Sequence, residues 1–191
     1  MKLKQSATLL SGSLFGILAL TSSLTSPVRA HDHGKSGDDR RQGDLIKIVR
    51  QSTARFRDVE VAKDEDYALM FGCVTGDTGG AMGLHYVNGS LIGDDVLDPT
   101  RPEIVIYEPL PNGRLRLIGA DFLVRADVWH ANHAEPPQIM GQLLHLFTAP
   151  NRFGLPDFYT LHVWAWKESP TGAFVNWHAN VSCDAYTPPT P

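Results

Sequence analysis

Ile104-Val105-Ile106-Tyr107-Glu108-Pro109-Leu110-Pro111-Asn112-Gly113-Arg114-Leu115-Arg116-Leu117-Ile118-Gly119-Ala120-Asp121-Phe122-Leu123-Val124 joins two β-type runs through Asn-Gly. The dipeptide favours the backbone twist that returns a strand on itself, so the stretch predicts an antiparallel hairpin. With Asn112 and Gly113 as the central turn residues, Glu108 is expected opposite Leu117. Ile104, Ile106 and Glu108 would then share a face with Leu117, Gly119 and Asp121.

Downstream, Leu161-His162-Val163-Trp164-Ala165-Trp166-Lys167 alternates as a strand should, placing His162, Trp164 and Trp166 on one face and Leu161, Val163 and Ala165 on the other. Its continuation to Cys183 carries Trp177 and His178. Upstream, Met82 to Val87 reads as a short strand with His85 and Val87 on one face. The glycines from Gly72 to Gly83 lack the spacing and following helix of a nucleotide loop and read as a flexible connection. Ser90 to Leu97 suggests a helical turn, Arg125 to Pro137 a loop or short helix, and Gln138 to Thr148 a strand or helix that period alone does not decide. Before the sheet, Asp44 is a fitting N-cap for a helix ending near Lys63, with Leu45, Ile48, Val49, Phe56 and Val59 on one stripe. The expected fold class is α+β: an N-terminal helix packed on a mainly antiparallel β-sheet in a single domain.

At the other end of the argument stand the termini. In a chain of 191 residues, Lys2 and Lys4, the apolar run from Leu9 to Leu24 and Val28-Arg29-Ala30 read as a cleaved export signal over residues 1–30. Residues 31–43 read as a disordered polar leader, 44–185 as the domain and 186–191 as a tail. Loss of Lys2, Lys4 and Arg29, with no acids, shifts the net charge from -4 to -7 over the remaining 161 residues. That balance argues against nucleic acid as a partner, and signal removal leaves no stable membrane anchor. A secreted or periplasmic chain with two cysteines, Cys73 and Cys183, is expected to oxidise them to a disulfide.

No phosphate loop, nucleophile elbow, H-E-x-x-H or C-x-x-C occurs. Two metal readings follow from the histidines. Cleavage after Ala30 would open the chain with His31-Asp32-His33, whose amine, two amides and imidazole can surround Cu(II) in a plane. Within the domain, His85, His145, His162 and His178, with Glu108 and Asp121 as partners, would form an open nitrogen-rich site for Zn or Cu if the fold brings them to one face. Separation of His85 and His162 beyond about 8 Å would rule out shared ligation. The tryptophans could also wall a groove for a small molecule, although core packing accounts for them as readily.

The segments Gly83-Leu84-His85-Tyr86-Val87-Asn88, Tyr107-Glu108-Pro109, Asn112 to Leu117, Leu161 to Trp164 and Pro170 to Phe174 resemble an uncharacterised family of secreted bacterial proteins. The resemblance implies bacterial export and one globular unit from the first helix to Cys183, and it assigns no activity, cofactor or catalytic residue. Because His85, Glu108, His162 and Trp164 stand inside the shared segments, the expectation is a divalent metal or small ligand in a His/Trp-lined pocket, with Glu108 and Trp164 as ligand contacts. The alternative is a non-catalytic envelope or extracellular interaction protein with structural histidines and tryptophans; an enzyme ranks third.

Overall fold

The computed structural model describes residues 37–188, so the expected export signal over residues 1–30 and His31-Asp32-His33 lie outside the described residues. Helix α1 spans Gly37–Ser52 and is followed by a 3-10 turn, Ala54–Arg57, and helix α2, Val59–Asp64. The expected single helix from Asp44 to Lys63 thus starts seven residues earlier and is broken in two places. Thr53 causes the first break: its amide and its hydroxyl both donate to the Val49 carbonyl, at 3.0 and 2.6 Å, drawing the backbone into a local turn. Asp58 causes the second by capping α2, its carboxylate accepting from the Glu60 amide at 3.1 Å. The apolar stripe survives both breaks, because Leu45, Val49 and Phe56 are buried.

Six strands make the main sheet. In chain order these are β1 (Tyr67–Thr75), β2 (Ala81–Asn88), β3 (Ile104–Pro109) and β4 (Leu115–Arg125), with short helices α3 (Gly89–Ile92) and α4 (Ala126–His130) following β2 and β4. Then come β5 (Gln138–Ile139) and β6 (Gln142–Leu143), a separate two-stranded ribbon, and finally β7 (His145–Phe147) and β8 (Phe158–Val163). The spatial order is β1-β2-β3-β4-β8-β7, with every pairing antiparallel. The α+β single domain expected from the sequence is the architecture observed.

Three local readings change. The stretch from Gly72 to Gly83, read as a flexible connection, is mostly strand: the edge strand β1 runs from Tyr67 to Thr75, β2 starts at Ala81, and only residues 76–80 turn. The β1 ladder is interrupted between Met70 and Cys73, where Phe71 and Gly72 both take positive φ, 67° and 64°. The β3–β4 hairpin has Pro111 and Asn112 at the centre of the turn and Gly113 at φ 76°, since the Gly113 amide donates to Leu110 and the Leu110 amide to Arg114. Proline prefers the first central position of such a turn and glycine its left-handed exit. Glu108 therefore faces Arg116, not Leu117, while Ile104 still pairs with Asp121 because Ile118 is extra in β4. The third change is at the end of β8. After Val163 the chain leaves the sheet, with the Trp164 amide donating to Ala173 and those of Trp166 and Lys167 to the carbonyl of the bulged Ile118. Trp164 and Trp166 consequently part company.

Alternation sends the two faces of the sheet to different cores. Val105, Ala120, Phe122, Leu161 and Val163 meet α1, the 3-10 turn and α2. Ile104, Ile106, Leu123, Phe158 and Trp164 lie on the opposite face, under the 148–157 loop and the segment from Ser169 to Tyr186. That segment is tied to β1 by the expected disulfide between Cys73 and Cys183.

Candidate metal centre

On the loop-covered face, His85 of β2 pairs with Ile106, Ile104 with Asp121 of β4, and Asp121 with His162 of β8. The three polar residues therefore sit on one face of neighbouring strands and point the same way. Three strand spacings, roughly 14 Å, separate the backbones of β2 and β8, yet the His85 and His162 rings lean inward to a centroid distance of 5.7 Å. Gly119, opposite Ile106, lets the chain leaving β8 come close to β4: a Cβ there would meet the Val163 carbonyl at 2.7 Å and the Trp164 ring at 3.1 Å. One donor atom from each of His85, Asp121 and His162 lies within 4.8 Å of the others. The group could hold a metal ion, and the separation that would have ruled out shared ligation does not occur.

Burial at this point is nearly complete, with 5, 2 and 3 % of His85, Asp121 and His162 exposed. Asp121 Oδ1 accepts from the Thr160 hydroxyl and from the Leu161 amide at 3.1 Å, which orients the carboxylate. The ring of His85 is set by its Nδ1, 3.2 Å from the Gly83 carbonyl. Donation from Nδ1–H leaves Nε2 with the lone pair that a metal requires. His162 differs from both: neither ring nitrogen makes a well-formed hydrogen bond, although the Asn176 side chain is close enough to favour its protonated form and Nδ1 stands 3.8 Å from Asp121 Oδ1.

Protonation favours ligation. Burial, then the neighbouring His162, pushes His85 down to about 4, against the opposing pull of Asp121 and Gly83. Burial and the charge of His145 lower His162 to about 3, while the Asn176 side chain pulls the other way. Burial raises Asp121 to about 6 in spite of Thr160, His85, Leu161 and His145. Near pH 7 the trio is two neutral imidazoles and a carboxylate, the protonation states a divalent ion binds.

Around the trio lies an apolar pocket walled by Phe71, Phe147, Phe153, Leu155 and Phe158. Its cavity volume of ≈ 30 Å³ is space for about two waters or their replacements. Phe71, at its strained positive φ, meets Phe153 edge-on with centroids 5.4 Å apart. A non-glycine residue held there costs of order 1–3 kcal/mol and is a feature of ligand sites.

The other residues singled out by sequence are dispersed. His145 is exposed on the edge strand β7, opposite Thr160, and acts on the trio through its charge. His178 is fully buried elsewhere on this face, its Nδ1 accepting from the Asn180 amide at 3.1 Å. Glu108 lies nearer the hairpin end of β3, bound to Lys167 Nζ at 2.8 and 2.9 Å and to Arg116, so its charge is already used. Trp164 does flank His162, with ring centroids 5.5 Å apart, and is held by Nε1–H donation to Val175 at 2.7 Å. Trp166 belongs to the helical side, between Arg50 and Arg57, and Trp129 stacks on His133. Asp121, ranked behind Glu108 by motif position, is the carboxylate that joins the histidines. Its pairing with both Ile104 and His162 was the signal that could have found it.

Among the described residues no helix is long and apolar enough to cross a membrane. Comparison of the chain with protein-family models, curated proteins and solved structures finds no match.

Proposed function

We propose that this is an exported protein that binds a divalent transition-metal ion, Zn(II) or Cu(II), through His85, Asp121 and His162. The observation that carries the reading is the convergence of three buried side chains, His85, Asp121 and His162, each with a ligand atom within 4.8 Å of the others. Two imidazoles and one carboxylate suit such ions, and three protein ligands leave coordination positions for an outside molecule. Tetrahedral donors at Zn–N distances near 2.0–2.1 Å stand about 3.3 Å apart, so the ion would draw the trio slightly inward from its present spacing. The Cys73–Cys183 disulfide supports an oxidising compartment.

Metal-free full-length mature protein should take up close to one equivalent of Zn(II) or Cu(II), and His162→Ala should lower the affinity at least 100-fold. A chain lacking residues 31–33 should retain the uptake. Uptake that survives His162→Ala but disappears with residues 31–33 would place the ion at the terminus and reduce the buried trio to a structural cluster.

A further inference from the structure

The pocket does not end at the histidines. Next to it a second apolar space of ≈ 60 Å³ shares five of its walls, Phe71, Ile104, Leu123, Leu155 and Phe158, and is lined further by Val87, Ile92 and the exposed Met70. Arg125 is the one charged residue along this extension, and its guanidinium is engaged by both carboxylate oxygens of Asp127. The channel is thus polar at its inner end, where His85, Asp121, Thr160 and His162 gather, and apolar from there outward.

Resting on the metal reading above, we propose that the loaded site takes a small monoanion with an unbranched apolar body, of the medium-chain carboxylate class. The carboxylate would sit on the metal and the hydrocarbon would lie along Phe71 and Leu155. Charge selects the head: a divalent ion with one aspartate leaves a net +1 inside apolar walls, which a monoanion neutralises and an ammonium opposes. The walls select the body. A sugar would bring hydroxyls against walls with nothing to hydrogen-bond them, which disfavours it. A hydrocarbon loses nothing there, and an unbranched chain is the slimmest body that narrow spaces of ≈ 30 and ≈ 60 Å³ admit.

The test is calorimetric titration of the Zn(II)-loaded full-length mature chain with acetate, butyrate, hexanoate and hexylammonium. Affinity should rise about four-fold per methylene from acetate to hexanoate, the equivalent of ~0.8 kcal/mol for each one buried. Hexylammonium should not bind, and metal-free protein should lose hexanoate affinity at least ten-fold. Leu155→Asn, at a wall that both spaces share and outside the three metal ligands, should keep Zn(II) uptake while weakening hexanoate ten-fold or more relative to acetate. Equal affinities for acetate and hexanoate on the Zn(II)-loaded protein would overturn the channel while leaving the metal site standing. Hexanoate binding of the same strength without zinc would overturn the anchoring of its head group. Absence of Zn(II) uptake would remove both the metal site and this inference.

Discussion

Glu108 and Asp121 are two buried carboxylates on the same face of the same sheet, and they are treated in opposite ways. Glu108 receives Lys167 and Arg116, and the Ser182 amide approaches Oε1 at 3.4 Å. Burial alone would raise its pKa, but those hydrogen bonds outweigh it and hold the carboxyl below its ordinary value. Asp121 has hydroxyl and amide donors but no cationic side chain beside it, only histidines that burial keeps neutral, and its carboxyl is pushed up to about 6. One site has its positive charge built in from the protein, and that is structure. The other holds a negative charge, lone pairs and a little space, and those are the properties of a receptor for a cation.

The sharpest way to break this contrast is to supply the cation. Zn(II) at 1,000 times its dissociation constant should stabilise the wild type by about 4 kcal/mol, read from urea unfolding with and without metal, and His162→Ala should lose that increment. Slightly smaller is the effect of the disulfide, which fastens the segment carrying Ser182 to β1 and so holds one side of the Glu108 cluster in place. Its ends are 110 residues apart, and a loop near that length contributes about 4.7 kcal/mol in the chain-entropy model, with measured values typically 2–4. The double substitution Cys73→Ser with Cys183→Ser should lower stability by about 3 kcal/mol, yet leave zinc affinity within three-fold. A large loss of zinc affinity would mean that the two clusters are one mechanical unit.

Much of this was legible because strands announce their faces. Asn112-Gly113 identified the hairpin, and alternation gave His85 and His162 each a face within its own strand, whereas their common face follows from the strand order. Glu108 was preferred to Asp121 for its place in a motif, which says nothing of its distance from the histidines. The register beside it was a separate miss: Pro111 at the first central position shifts the turn, the extra Ile118 shifts it back, and neither leaves a mark in the hydrophobic pattern. Trp166 was misplaced for a related reason. The pattern of Leu161 to Lys167 continues as a strand, but the amides of Trp166 and Lys167 are captured by the bulged Ile118 carbonyl, and tertiary hydrogen bonding overrides alternation. The helix break at Thr53 is another such event, since the same hydroxyl accepts from Trp166 Nε1–H at 2.9 Å, more than a hundred residues away. Sequence shows which face a residue prefers within a run; where runs stop depends on partners distant in the chain.

Removing Glu108 tests the other half of the contrast. Glu108→Ala strands Lys167, whose side chain is 20 % exposed, and opens a gap under Arg116. Breaking a buried pair costs 3–5 kcal/mol when the orphan has no access to water. With Lys167 near the surface the loss should be about 2 kcal/mol by urea unfolding, and zinc uptake should be unchanged. Reduced uptake would return Glu108 to the metal site from which its hydrogen bonds exclude it.

Asp121→Asn should do the reverse and stabilise the metal-free protein, with the gain depending on pH. The Asp121 carboxyl is raised from 3.8 to about 6 on folding, so the folded chain binds the proton more tightly. Its contribution is fully present below about pH 4 and is lost as pH rises through 6. Two units correspond to at most about 3 kcal/mol, and charge screening by solvent entering the pocket would lower that figure. Asparagine keeps an oxygen for the Thr160 hydroxyl and the Leu161 amide and has no charge to bury. Wild type and variant should therefore unfold alike near pH 4 and diverge toward pH 7, the variant being more stable by about 2 kcal/mol. His85 and His162 run in the opposite sense, their contributions present above the ordinary histidine value and lost as pH falls through about 4 and 3. They act in both proteins, so the difference isolates the carboxylate. Zinc should then invert the order, because only the wild type retains the charge that the ion neutralises. Two curves that stay parallel from pH 4 to 7 would show that Asp121 already has a charge partner, and would place it beside Glu108 as a structural residue.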